Sequence, residues 1–461
     1  MDTHIDFHSL SGMRRYFDSG ATMPYTFRLK QLKALRQALM EHEKDISKAL
    51  YADLRKSETE AFLTEFGLLM AELKMAIRKL AAWMRPQRVP TNLVNLPSSS
   101  HLYPYPKGVV LIISAWNYPL LLSLVPVVGA MAGGNCIVLK LSEYAPATAA
   151  VIEKICKAVF DENYIRIVQG DGSKVVPALM DAIPFDHVFY TGGGRVGQAV
   201  YEQAAKKLIP VTLELGGKSP VIVEKDAHIQ VAARRIVFGK YINAGQTCVA
   251  PDYLLVHEDM QDKLITAMKD VIEKSFGTDA RQSPDYSRLI HKRRFETLLA
   301  WLQQTKGKIV IGGDYHADDL YIAPTIIKDV ALTEPMMQEE IFGPLLPVIT
   351  FRKRAEALAI IARHPNPLAF YLFTSDTKNE KEWLGRIAFG NGCINNTIQH
   401  LANPHLPFGG VGQSGIGAYR GVHSFKVFTH VRAVMKTPIW FDPAVKYPPY
   451  ANKLKWLRRL F

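Results

Sequence analysis

Cysteine is scarce in this chain: four residues in 461, at positions 136, 156, 248 and 393. No two form a CxxC pair, and none stands with histidine at zinc-ligand spacing, so the sequence offers no metal site. Four thiols cannot staple a chain of this length. That excludes a disulfide scaffold and favours a reducing, cytoplasmic setting. A secretory signal is also missing from Met1-Asp2-Thr3-His4-Ile5-Asp6, which has neither a basic segment nor an apolar one. Internal repeats and low-complexity tracts are absent. Acidic residues are in deficit, 43 against 56 Lys plus Arg, which gives a formal charge of +13. Such an excess suits nucleic acid, a membrane surface or anionic small molecules such as dinucleotides. No zinc finger, aromatic RNA-binding strand or basic recognition helix accompanies it, which removes nucleic acid.

What is present is an ordinary globular composition, 48% hydrophobic and 21% charged, in a chain long enough for two to three domains. One stretch tests for a membrane span: no residue is charged between Lys107 and Lys140. Trp116-Asn117-Tyr118-Pro119, Pro126 and Gly133-Gly134-Asn135 interrupt it, so it reads as a buried strand, a loop, a short buried helix and a turn. Lys453 to Phe461 is basic and amphipathic with no apolar anchor after it. It reads as a packed or solvated tail, with peripheral membrane contact the lesser alternative.

Helical periodicity dominates the first hundred residues. Phe27, Leu32, Leu35 and Leu39, then Ile46, Leu50 and Leu54, mark one amphipathic region, and Glu60 to Trp83 a second. Pro86, Pro90, Pro97 and Ser98-Ser99-Ser100 predict a boundary or extended linker. From Lys107 the pattern alternates. Strands are predicted at 109–113, 137–139, 165–168 and 187–190, and helices at 120–131, 148–160, 173–180 and 196–207. This predicts a doubly wound parallel sheet with its ligand at the carboxyl ends of the strands. A second α/β pattern begins near Val211, with strands at 220–223, 253–256, 309–311, 346–349 and 369–373. Its helices fall at 229–242, 260–275, 292–305 and 354–362.

After the strand ending at Tyr190 comes Thr191-Gly192-Gly193-Gly194-Arg195-Val196-Gly197, which leads into a helix. Gly192, Gly194 and Gly197 satisfy G-x-G-x-x-G, a backbone suited to a pyrophosphate at a helix N-terminus. Two assignments stay open for the ribose. Glu214 follows at the conventional Rossmann distance; alternatively Lys140 and Glu143, at the end of an earlier strand, take the ribose hydroxyls and free Glu214 for chemistry. Cys248 stands in Asn243-Ala244-Gly245-Gln246-Thr247-Cys248-Val249-Ala250-Pro251, a small, polar loop context in which a nucleophile and a packed, buried thiol both stay open.

Several motifs, in order, resemble the aldehyde dehydrogenase superfamily: Trp116-Asn117-Tyr118-Pro119, Glu214-Leu215-Gly216-Gly217-Lys218-Ser219-Pro220, Cys248 in its loop, Glu339-Glu340-Ile341-Phe342-Gly343-Pro344, and Pro407-Phe408-Gly409-Gly410. Cys248-Val249-Ala250-Pro251-Asp252-Tyr253 and Phe408-Gly409-Gly410-Val411-Gly412-Gln413-Ser414-Gly415 resemble its class 3 branch. The resemblance implies two doubly wound α/β domains with a small bridging or oligomerisation element. Residues 1–210 would hold the front helices and the Rossmann-like cofactor domain, with a bridging segment near 85–105. Residues 211–410 would form the catalytic domain, and 411–461 would return to the cofactor domain and supply an oligomerisation segment and tail.

The resemblance also implies roles. Cys248 attacks an aldehyde, Asn117 and the Cys248 N–H hold the oxyanion, and Glu214 activates water to hydrolyse a thioester. Lys140 and Glu143 take the adenosine ribose; Thr191, Gly192, Gly193 and Gly197 cover the pyrophosphate; Glu340 and Phe342 hold the nicotinamide end. The implied cofactor is NAD, with NADP open. The substrate is a medium-chain aliphatic or aromatic aldehyde, and the assembly a homodimer. Against the commonest family pattern, Leu141 replaces a proline and Gly193 a serine. A coenzyme A-acylating reaction and a non-enzymatic basic binding protein on the same fold remain the rivals.

Overall fold

The computed structural model describes residues 7–458. The N-terminal six residues, read above for a secretory signal, and the last three of the basic tail lie outside the described residues. The uncharged stretch between Lys107 and Lys140 is the centre of a sheet. Val109–Ile113 and Cys136–Lys140 are adjacent parallel strands with every residue buried. Between them Pro119–Gly133 is a wholly buried helix. It opens on Pro119, whose missing N–H is no loss in a first turn, and stops at Gly134 with φ 87°. Among the described residues no helix is long and apolar enough to cross a membrane.

The first sheet runs Ile165–Val168, Cys136–Lys140, Val109–Ile113, His187–Thr191, Val211–Glu214, Gly415–Ile416. The first five strands are parallel and the last is antiparallel. Strand order reverses at Val109–Ile113, so the crevice beyond the carboxyl ends of Val109–Ile113 and His187–Thr191 is the topological switch point. One boundary moves. The sequence opens the second unit at Val211, but Val211–Glu214 pairs with His187–Thr191 in the first sheet. The chain changes sheets only within the five residues Leu215–Ser219, so the alternating pattern shows no gap at the true crossing.

The second sheet runs Lys308–Ile311, Thr325–Lys328, Leu345–Phe351, Tyr253–His257, Pro220–Val223, Ala369–Phe373, Asn391–Ile394. It is parallel except at the edge pair of Lys308–Ile311 and Thr325–Lys328. Thr325–Lys328 and Asn391–Ile394 escape the sequence reading because they are short and begin on polar residues. The proline-marked stretch from Pro86 to Ser100, read as a boundary or extended linker, carries strand structure. Gln87–Val89 and Ser99–Pro106 join Thr429–Lys436 in a third, antiparallel sheet.

At the front, Tyr25–Glu41 and Glu43–Leu54 are helices that bury Leu32, Leu35 and Leu39, then Ile46, Leu50 and Leu54. The second amphipathic stretch is interrupted: helix Glu58–Ala61 passes through a π turn, Phe62–Phe66, into helix Gly67–Met84. That extra residue turns Thr64, Glu65 and Phe66 inward and leaves Phe62 and Leu63 exposed.

Candidate active site

Two cavities meet between the sheets. One, of ≈ 290 Å³, opens along the switch point of the first sheet. The other, of ≈ 120 Å³, opens on the opposite side toward the front helices. Cys248, Leu122, Phe408 and Tyr419 line both.

Cys248 follows a loop that the backbone alone would not adopt. Asn243, Ala244 and Gly245 are consecutive left-handed residues, with φ of 54°, 51° and 77°. Each non-glycine there costs on the order of 1–2 kcal/mol. Hydrogen bonds offset the cost. Asn243 N donates to Glu60 Oε1 at 2.8 Å, and its Nδ2 to the Asn117 carbonyl at 2.8 Å and the Gln246 carbonyl at 3.1 Å. Gln246 Nε2 donates to the carbonyls of Asn243 and Arg288, and Gln246 Oε1 accepts from Ile290 N. A Cβ at Gly245 would lie 2.3 Å from the Gly343 carbonyl oxygen, so no side chain fits.

Asn117 reaches the same place from the first sheet. Its Nδ2 donates to the Gln246 carbonyl at 3.0 Å, which ties it to the loop carrying Cys248. A buried ion pair holds the Asn117 turn from beneath. Lys56 Nζ lies 2.6 Å from Glu65 Oε1, both side chains fully buried, and donates to the Asn117 carbonyl at 3.1 Å. Glu65 Oε2 accepts from Leu120 N and Leu121 N at 2.9 and 3.2 Å, in the first turn of the helix that follows. Tyr118 Oη sits 2.5 Å from Thr247 Oγ1. Sequence reasoning missed Lys56, Glu60, Glu65, Asn243 and Gln246. The first three act across more than fifty residues, and only Gln246 and Asn243 lay inside a motif already singled out.

Glu214 ends its strand facing the larger cavity. Neither carboxyl oxygen has a partner. Burial pushes its carboxyl well above the ordinary range, against a smaller pull from Arg420. Burial, with the charges of Glu340 and Glu214, pushes the Cys248 thiol up to about 12. Glu340 is pushed up to about 8 by burial and by Asp252. Its segment is clamped: Asp252 Oδ1 accepts from Ile341 N at 2.8 Å, Lys218 Nζ donates to Asp252 and to the Glu339 carbonyl, and Arg294 donates to the carbonyls of Glu340 and Ile341. Phe342, at φ 45°, turns its ring edge-on to Trp116, 5.3 Å between centroids. The other cysteines differ. Cys136 and Cys156 are buried away from both cavities, and Cys393 Sγ lies 3.3 Å from His400 Nδ1.

Along the larger cavity, Thr191, Gly192, Gly193, Glu340 and Phe342 join Asn117, Glu214 and Cys248. Gly197 does not line it. Its absent Cβ would strike Leu215, so it serves the packing of helix Gly194–Ala205 against the sheet. Lys140 and Glu143 stand outside this cavity as a pair, 2.8 Å apart, where Glu143 Oε1 also accepts from Gly172 N at 2.9 Å.

A model of the aldehyde dehydrogenase family matches residues 8–434. The chain belongs to the aldehyde dehydrogenase family. It is 43% identical over 448 residues to 4,4'-diaponeurosporen-aldehyde dehydrogenase of Staphylococcus aureus, covering 97% of each chain. To human aldehyde dehydrogenase family 3 member B1 it is 41% identical over 447 residues, covering 96% and 95%. A structure described as the substrate-bound state of Staphylococcus aureus AldH superposes with a TM-score of 0.97 at 42% identity, covering 100% of both chains. The resemblance to the class 3 branch therefore holds, and the chain is an NAD(P)-dependent aldehyde dehydrogenase.

The site fits a dinucleotide. Thr191 Oγ1 is buried without a partner, and a Cβ at Gly193 or Gly194 would meet nothing within 4 Å. This leaves an open backbone cradle at the N-terminus of helix Gly194–Ala205. The glycine loop follows the fourth strand of the sheet in chain order rather than the first, which makes this an unconventional Rossmann site. Glu214, the register partner of Thr191 on the neighbouring strand, lines the larger cavity with Cys248 and the glycine loop, whereas Lys140 and Glu143 do not.

Proposed function

We propose that this aldehyde dehydrogenase oxidises medium-chain aliphatic or aromatic aldehydes to carboxylic acids, with Cys248 as nucleophile. The carrying observation is that Cys248 lines both cavities and shares the larger with the Asn117 amide and the unpartnered Glu214 carboxyl. The smaller cavity, walled by residues such as Leu121, Phe238, Ile242 and Leu401, suits the apolar chain or ring of the aldehyde. The larger suits the cofactor, whose bound nicotinamide supplies the hydride acceptor. Lys140 and Glu143 hold the adenosine ribose, Thr191 to Gly193 the pyrophosphate, and Glu340 and Phe342 the nicotinamide end.

The residues divide the work. Burial holds the Cys248 thiol protonated at neutral pH, so as the sulfur attacks, its proton passes to the Glu214 carboxylate and on to solvent, which frees Glu214 for the later hydrolysis. The resulting oxyanion meets the Cys248 N–H and the second N–H of the Asn117 amide, since only one is committed to Gln246. The thioester left on Cys248 is then hydrolysed by a water that Glu214 deprotonates; a carboxyl with a raised pKa is a competent base. Release to coenzyme A would leave Glu214 without a task. Single-turnover product analysis with and without coenzyme A separates the two outcomes. Free acid formed at the same rate in both supports hydrolysis; acyl-coenzyme A as the dominant product overturns it.

NAD is preferred over NADP on electrostatic grounds. Burial pushes the Glu143 carboxyl up, but the Lys140 ammonium and the Gly172 N–H outweigh it, and the net shift is down. A charged carboxylate there repels a 2′-phosphate. A homodimer is supported by the third sheet. Thr429–Lys436 is an eight-residue edge strand with Val431, Val434 and Met435 exposed, a surface that invites pairing. The four unpaired cysteines support a cytoplasmic setting.

A further inference from the structure

The smaller cavity is walled mainly by apolar side chains, but Arg420 breaks its character. The residue is 4% exposed. Among the described residues its guanidinium donates no hydrogen bond, and Nε is buried without a partner. The nearest carboxylate, Glu72, lies 3.9 Å from Nη1, and its two oxygens are turned to Gly421 N at 3.3 and 3.0 Å. The other contact is the ring of Tyr419, whose centroid is 5.3 Å from Cζ. A buried guanidinium without a hydrogen-bonded counter-charge is strongly unfavourable in itself. Here the main chain imposes it. Arg420 adopts φ 82°, Tyr419 and Phe408 exchange backbone hydrogen bonds at 2.7 and 2.9 Å, and Arg420 N donates to Ser424 Oγ at 2.8 Å.

Location decides what the cation is for. Cys248, Phe408 and Tyr419 line both cavities, whereas Arg420 lines the substrate side alone. The guanidinium therefore faces the part of the substrate beyond the reacting carbon. Its planar fork matches a carboxylate, which accepts two parallel N–H donors. We propose that Arg420 is the recognition point for a carboxylate on the substrate, so that the enzyme selects aldehydes bearing an acid group across an apolar spacer. The spacer would lie along Leu121, Phe238 and Leu401. The proposal rests on the reading that places the aldehyde on Cys248 within this cavity.

The test measures kcat/KM for two matched pairs, 4-formylbenzoate with benzaldehyde and 6-oxohexanoate with hexanal, in the wild type, R420M, R420K and C248A. The wild type should use the acid of each pair at least as well as the neutral partner. R420M should lower the acid-to-neutral ratio at least tenfold, chiefly through KM, and R420K should fall between. A wild type that disfavours the acids more than tenfold overturns the proposal. So does an R420M that lowers both members by one factor, which would assign Arg420 to the field around the thiol. Turnover retained in C248A fails the Cys248 reading instead. Adipate binding followed by calorimetry needs no turnover and no variant: wild type should bind adipate at least tenfold more tightly than 1,6-hexanediol, and equal binding overturns the proposal.

Discussion

Burial governs the reactive residues one by one. The Cys248 thiol stands near 12 because burial disfavours the thiolate and the neighbouring Glu340 and Glu214 carboxylates repel it. Below its pKa the thiolate fraction rises ~tenfold per pH unit. Iodoacetamide labelling of Cys248 in the cofactor-free protein should therefore climb steadily from pH 7 to pH 10. Levelling off between pH 9 and 10 would mean an ordinary thiol, and a plateau by pH 8 a depressed one. Asn117→Ala removes one of two oxyanion donors and should lower kcat by ~10²–10³. A KM change with kcat intact would refute that role. Glu214→Gln keeps the shape and removes the base. NADH should then form in a single burst, with the acyl group retained on Cys248 and visible as added mass on the intact protein; multiple turnovers at the wild-type rate would exclude Glu214.

At the scale of elements, turns and braces matter more than regular structure. The helix Pro119–Gly133, the π turn Phe62–Phe66 and the left-handed run Asn243–Gly245 converge through one buried pair, Lys56 and Glu65, and through Glu60. Lys56→Met strands Glu65 as a buried charge and should cost about 3–5 kcal/mol in denaturant unfolding. Adding Glu65→Gln should return part of that. If Lys56→Met alone is neutral, the pair contributes nothing to the turn. The sequence displayed the reactive side chains because Asn117, Glu214 and Cys248 each sit in a compact local motif. It hid the braces because Lys56, Glu60 and Glu65 look like any charged helix surface until the π turn rotates Glu65 inward.

For the whole molecule, hydrophobic alternation made most strands of both sheets legible. It could not locate the crossing between them, because Val211–Glu214 and Pro220–Val223 are alike in pattern and belong to different sheets. The walls of the substrate cavity were illegible for a related reason: Leu63, Phe238, and Ile398 with Phe408 come from three distant places and are generic apolar residues. The exposed edge Thr429–Lys436 makes its own prediction. Val431→Lys with Val434→Lys should convert a species of twice the chain mass in sedimentation into one of single mass. A dimer that survives both changes would lie elsewhere on the surface.

The crossing at Leu215–Ser219 has one more consequence. It joins the last residue of the first sheet's fifth strand, Glu214, to the second sheet, so the sole turn through which the chain first passes between them abuts the chemistry. The chain comes back to the same point: after Asn391–Ile394 in the second sheet, Gly415 pairs with Glu214 in the first. Outgoing and returning main chain thus meet at one residue, and the spacing of Glu214 from the second sheet is tied down twice.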